Sequence, residues 1–179
     1  MSEYHKLYNP QDSAVVFIDH QPQMTFGVAS IDRASLINNV TLLAKVAKEF
    51  GVPAVLTAVE TESFSGYIWP QLLDVFPGQP VVERTSMNSW DDPGFRKAIE
   101  ATGRKNILMT GLWTEVCVTW PTIEMLADRG RDKEKLRPSL RTGQANFWHP
   151  ALQLVVNFQK DRHIARCACF KENKPIVVK

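Results

Sequence analysis

Residues 107 to 127, ILMTGLWTEVCVTWPTIEMLA, place a cysteine where an apolar strand gives way to a helix. Ile107 to Met109 read as a buried strand, Gly111 marks a sharp departure from it, and Thr114 and Glu115 stand just ahead of a helical stretch ending near Ala127. A thiol in the first turn of a helix meets unpaired backbone N–H groups and the positive end of the macrodipole, both of which favour its thiolate. The competing reading makes Cys117 one more small buried residue, since free cysteine is among the most buried types.

Two other segments bear on that choice. AVVFIDHQPQM, residues 14 to 24, is an apolar strand that ends in Asp19, where burial alone gives no reason for a carboxylate. In an open α/β sheet the carboxyl ends of the strands border the ligand crevice, which Asp19 would face; a simple cap on the following turn is the other reading. PVVERTSMNSW, residues 80 to 90, repeats the pattern, a short apolar strand followed by Glu83 and Arg84.

Working outward from these motifs, strands alternate with helices. A strand over 13–19 leads into a loop with Pro22 and Gly27, and a helix is expected from about Ala34 to Phe50, with apolar Leu36, Val40, Leu43, Ala44 and Ala47 at helical spacing. Gly51 closes that helix and Pro53 opens a strand over 54–60. A short helix from Trp69 to Val75, a strand near Val81, a helix from Pro93 to Ala101 and a strand from Asn106 follow. This order predicts a Rossmann-like α/β fold, a three-layer αβα sandwich around a central parallel sheet. The 179 residues are one domain's worth, 1–179, with the segment after Ala127 atypical. From Gly130 the sequence RDKEKLRPSLRTGQANFWHP is charged and lacks apolar periodicity; only LQLVVNF, 152 to 158, and IVV near the terminus read as buried structure.

Composition excludes several function classes. The net charge of +2, with no dense basic stripe interleaved with aromatics ahead of the C-terminal third, argues against nucleic acid as a partner. The polar start MSEYHKLYNPQD has no apolar signal-like core, and no run approaches the length needed to span a membrane. Three cysteines cannot all pair internally, and Cys167 and Cys169 are too near one another for an ordinary bridge, so a reducing cytoplasm is the expected setting. No glycine-rich phosphate loop is present, so no nucleotide cofactor is expected. Phe26, Phe64, Trp90, Trp113 and Trp120 flank the three motif segments and are expected to wall a pocket for a small, mostly apolar or aromatic acyl group; plain core packing is the alternative for each. His20 is expected to line that pocket or to hydrogen-bond at the strand end.

FIDHQ, ERTSMNSWDDPGF and above all TGLWTEVCV followed by an apolar helix resemble the isochorismatase-like cysteine hydrolases, in particular their small bacterial members. The resemblance runs from about Ala14 to Ala127. It implies the isochorismatase-like hydrolase fold, a catalytic triad of Asp19, Arg84 and Cys117, and a cis peptide between Trp113 and Thr114 that would pre-set an oxyanion site. On that basis Asp19 takes the thiol proton, Arg84 supplies permanent charge, and Cys117 attacks an electrophilic carbon while the N–H groups of Val116 and Cys117 form the oxyanion hole. The implied function is a metal-independent cysteine hydrolase of a small amide or related C–N bond, working through a covalent acyl-enzyme. A non-catalytic member acting as an oligomeric scaffold or small-ligand binder is the alternative; a true isochorismatase fits less well, because those enzymes characteristically lack the cysteine. Metal-binding relatives carry a D-x-H segment after the second strand, whereas TAVETESFSG offers Glu60 and Glu62 without an imidazole, so no metal is expected. The family also implies a homo-oligomer.

Overall fold

The computed structural model describes residues 9–131, 154–158, 165–171 and 174–177. Four parallel strands form the central sheet in the order β3-β2-β1-β4, with β1 Ser13–Ile18, β2 Ala54–Val59, β3 Val81–Arg84 and β4 Asn106–Gly111. The chain first winds outward from β1 to β3 and then returns to place β4 on the other side of β1. That reversal makes the carboxyl ends of β1 and β4 a topological switch point, the usual crevice of an open α/β sheet.

β1 is buried along its whole length, as a central parallel strand covered on both faces must be. Its side chains alternate between two cores. Val15 and Phe17 pack with Leu36, Val40 and Ala44 of helix α2 (Arg33–Glu49) and Leu72 of α3 (Pro70–Val75). Ala14, Val16 and Ile18 pack with Phe95 and Ile99 of α4 (Pro93–Ala101) and Met125 of α5 (Thr119–Arg131). The result is the three-layer arrangement read from the sequence. Each large side chain so buried, Phe17 and Phe95 among them, contributes about 1.5–3 kcal/mol.

The helices start where their caps dictate. Asp32 accepts the Ser35 N–H at 2.9 Å ahead of α2, and Asp92 accepts the Phe95 N–H at 2.8 Å ahead of α4, each satisfying an orphan amide of the first turn. The loop expected around Pro22 holds a short helix, α1 (Pro22–Phe26), with proline at its first position. Helix α5 runs to Arg131, beyond the expected end near Ala127.

Three further strands, β5 (Leu154–Phe158), β6 (Ala165–Lys171) and β7 (Lys174–Val177), form an antiparallel sheet. β5 and β7 fall on the two stretches singled out as able to form structure; β6 was not anticipated. The charged stretch after Arg131, with His149 and His163, lies outside the described residues.

Candidate active site

Asp19 follows the last residue of β1 and adopts φ 54°. This left-handed conformation is tolerated by aspartate better than by most residues, yet it still costs about 1–3 kcal/mol and turns the carboxylate out of the strand's alternation. Arg84, the last residue of β3, reaches across β2 to meet it. Arg84 Nη2 donates to Asp19 Oδ1, Nε donates to Thr57 Oγ1 at 3.2 Å, and Nη1 donates to the carbonyls of Ser86 and, at 3.2 Å, Met87. Thr57 in turn donates to the Val82 carbonyl at 2.9 Å, so a polar residue in the middle of an apolar strand serves as a rest for the guanidinium.

Cys117 lies in a π-type turn, Thr114–Val118, that links β4 to α5, and its side chain hydrogen-bonds to Asp19. Gly111 allows this approach. A Cβ there would stand 2.7 Å from Val118 Cγ2, so only glycine lets the thiol-bearing turn close on the end of β4. Asp19 and Cys117 have no exposed surface, and Arg84 is 3% exposed. Burial pushes the Asp19 carboxyl above its ordinary value, partly opposed by the charge and hydrogen bond of Arg84 and by the Cys117 hydrogen bond. An aspartate raised in this way is better matched to accept a thiol proton than one held in the usual carboxylate range.

Several expectations need correction. No cis peptide occurs among the described residues, and the Trp113–Thr114 bond is trans, the form favoured by about 2.5–4 kcal/mol when no proline follows. The N–H groups of Val116 and Cys117, expected to form an oxyanion hole, already donate to the Trp113 carbonyl at 3.4 and 2.9 Å, because the turn closes on that oxygen. His20 is no strand-end hydrogen-bonding residue: it is fully buried, edge-on to Phe17 at 5.6 Å and Trp69 at 5.3 Å, and neither ring nitrogen has a partner among the described residues.

The five aromatics do not form one wall. Trp90 belongs to the core on the α4–α5 side, while Phe26, Phe64 and Trp120 are more than half exposed. Phe26 lies under the Arg33 guanidinium at 4.9 Å, and Trp113, partly buried, donates from Nε1 to the Met24 carbonyl at 3.0 Å against Gly27. A cavity of about 160 Å³ lined by Val15, Leu43, Ala47, Phe50 and Leu108 lies near the amino ends of β1 and β4, away from Asp19, Arg84 and Cys117.

Gln21 was missed. Its amide clamps the end of β2, Nε2 donating to the Val59 carbonyl at 3.0 Å and Oε1 accepting the Val59 N–H at 3.0 Å, while Nε2 also reaches the Gly66 carbonyl. The side chain thus continues the β1–β2 pairing one step beyond the strands, and the signal for it was an amide in the otherwise apolar neighbourhood of FIDHQ. No group of metal-ligating side chains occurs among the described residues, and none of their helices is long and apolar enough to cross a membrane.

Fold and site together define an α/β protein that gathers a thiol, a carboxylate and a guanidinium, all buried, at the carboxyl ends of its parallel strands. Residues 13–130 match the isochorismatase domain, and the chain belongs to that family, which includes hydrolases. It is 33% identical over 129 residues to the probable hydrolase YcaC of Escherichia coli, the match covering 72% of this chain and 62% of the relative. The chain therefore spans less than two thirds of the length of that relative. Its fold superposes on YcaC from Pseudomonas aeruginosa, whose structure contains hexane-2,5-diol and covalent acrylamide, with a TM-score of 0.68 at 35% identity over 71% of this chain and 63% of that one. The Escherichia coli YcaC structure, an octameric hydrolase of unknown specificity, gives 0.67 at 34% identity over 72% and 63%.

Proposed function

We propose that the protein is a metal-independent cysteine hydrolase of a small amide or related C–N bond, using Cys117 as nucleophile, Asp19 as general base and acid, and Arg84 as fixed charge. The observation that carries this reading is the convergence of the three side chains, from the ends of β1, β3 and β4, in one buried site. Asp19 takes the Cys117 proton, and the thiolate attacks the amide carbonyl carbon. The C–N bond breaks as Asp19 returns that proton to the departing nitrogen, leaving a thioester on Cys117. Water then adds to the thioester carbon and gives a proton to Asp19; the acid departs and Cys117 recovers its hydrogen. Arg84 stays charged throughout and stabilises the Asp19 carboxylate and the thiolate. Helix α5 starts at Thr119, just after Cys117, and the positive end of its dipole would favour the thiolate.

Covalent acrylamide in the Pseudomonas relative supports a nucleophile reachable by a small amide-bearing electrophile. Assembly into a homo-oligomer belongs to the same reading, supported by the octameric Escherichia coli relative, as does a reducing cytoplasmic setting suited to a free thiol. The complete burial of Cys117 and Asp19 favours a second reading, a closed site kept for scaffolding or ligand binding.

The test is a panel of small aliphatic and aromatic amides together with acrylamide labelling followed by peptide mass spectrometry. Cys117→Ala and Asp19→Asn should each abolish turnover with an unchanged circular dichroism spectrum, and Arg84→Lys should retain part of it. A Cys117→Ala protein that hydrolyses amides normally contradicts the mechanism. A wild-type chain inert to both amides and acrylamide favours the scaffold reading.

A further inference from the structure

The loop between β3 and α4 has two attachments. Its Ser86 and Met87 carbonyls accept from Arg84 Nη1, so the loop orients the guanidinium. The next residue, Asn88, is 5% exposed and uses both ends of its amide: Oδ1 accepts the Trp90 N–H at 3.2 Å, and Nδ2 donates to Glu124 Oε2 at 2.9 Å. Trp90 repeats the pattern, its Nε1 donating to Asp128 Oδ2 at 2.8 Å. Glu124 and Asp128 stand four apart on α5, hence on one face, and α5 continues directly from the turn that carries Cys117. The carbonyls that aim Arg84 are thereby fastened to the helix that presents the thiol.

We infer that Asn88 and Glu124 are positioning residues, which keep Arg84, and through it Asp19, in register with Cys117 by tying the β3–α4 loop to α5. Neither touches the reacting atoms in this arrangement. The inference rests on the triad proposed above. Its physical content is that a hydrogen bond between a buried amide and a carboxylate is strong and directional, so losing it frees the loop to drift and takes the guanidinium with it. The Glu124 charge itself is exposed and screened by solvent, so removing it while keeping the acceptor oxygen should leave the thiol unchanged.

The experiment is the pH dependence of Cys117 alkylation by iodoacetamide, read by peptide mass spectrometry so that Cys167 and Cys169 are scored separately. Glu124→Ala and Asn88→Ala should each move the Cys117 profile toward that of an ordinary thiol, by about half a pH unit, equivalent to an about threefold slower reaction below the midpoint. Glu124→Gln, which keeps an acceptor oxygen for Asn88, should retain the wild-type profile. A merely structural role would lower the melting temperature and leave the profile in place. Superposable profiles for wild type and Glu124→Ala overturn the inference whatever happens to stability, and Glu124→Ala carries the test alone if Asn88→Ala fails to fold, because Glu124 is exposed whereas Asn88 is buried. A wild-type Cys117 that titrates like a free thiol overturns the triad reading and this inference with it; an activated wild-type thiol that Glu124→Ala does not change overturns this inference alone.

Discussion

Acid should loosen this fold through His20, and the size of the effect follows from where the ring sits. Burial alone pushes the imidazole pKa down from 6.5 to about 3, since Phe17 and Trp69 flank the ring and its nitrogens lack partners among the described residues. A depressed folded pKa means that the unfolded chain takes up a proton the folded one refuses, so stability is complete above 6.5 and is lost as pH falls toward 3. At about 1.4 kcal/mol per pH unit the full interval is worth about 5 kcal/mol, of which about 2 kcal/mol falls between about pH 7.5 and pH 5. Asp19 works in the opposite sense. Its raised pKa adds stability as pH falls from that value down to 3.8, and the groups acting on it are Arg84, Cys117 and Glu83, so its contribution cancels when two proteins differing only at His20 are compared. His20→Phe keeps the edge-on ring contacts and cannot titrate. Urea unfolding, followed by tryptophan fluorescence at fixed protein concentration, should therefore show wild type losing about 2 kcal/mol more than His20→Phe between those two pH values. Parallel pH profiles for the two proteins would refute the reasoning.

Arg84→Met should destabilise the fold by about 3–5 kcal/mol at neutral pH, because it strands the Asp19 carboxylate in the core. The loss should shrink on acidification as Asp19 takes up a proton, and Asp19→Asn in the same chain should restore much of it; an equal deficit at acid and neutral pH in urea unfolding would speak against the pairing. Gly111→Ala should cost about 1–3 kcal/mol by driving a methyl group into Val118, and Val118→Ala should relieve that cost. Simple additivity of the two changes in a thermal melt would show that the contact does not set the spacing.

The four strands of the central sheet were legible because each is an apolar run closed by a charged or small residue, and helix α2 because its apolar residues recur at helical spacing up to Gly51. The adjacency of Asp19, Arg84 and Cys117 was legible for a different reason: a parallel sheet gathers strand ends on one side, so chemistry at the end of several strands must share a neighbourhood. Side-chain amides standing in for backbone were not legible. Gln21 pairs with Val59 as another strand would, and no periodicity announces that role. Nor could composition show that the Val116 and Cys117 amides are taken up by the Trp113 carbonyl, which depends on how one turn closes. The aromatics misled because proximity in sequence to a motif does not set which way a ring faces; Trp90 turned to the core and Trp120 to solvent.

The pairing of β1 with β4 has a consequence for how this protein tolerates change in length. Ile18 lies opposite Gly111, so the positions of Asp19 and the thiol-bearing turn are both counted from the same rung of the ladder. Deleting or inserting one residue within either strand would displace one group by about 3.3 Å and reverse which side chains face each helix layer, since side chains alternate with a period of two. The turn at Thr102–Lys105, at the opposite end of β4, carries no such obligation. Insertions there should be absorbed with reactivity intact, whereas a single added residue between Asn106 and Gly111 should silence the thiol without altering any residue of the site.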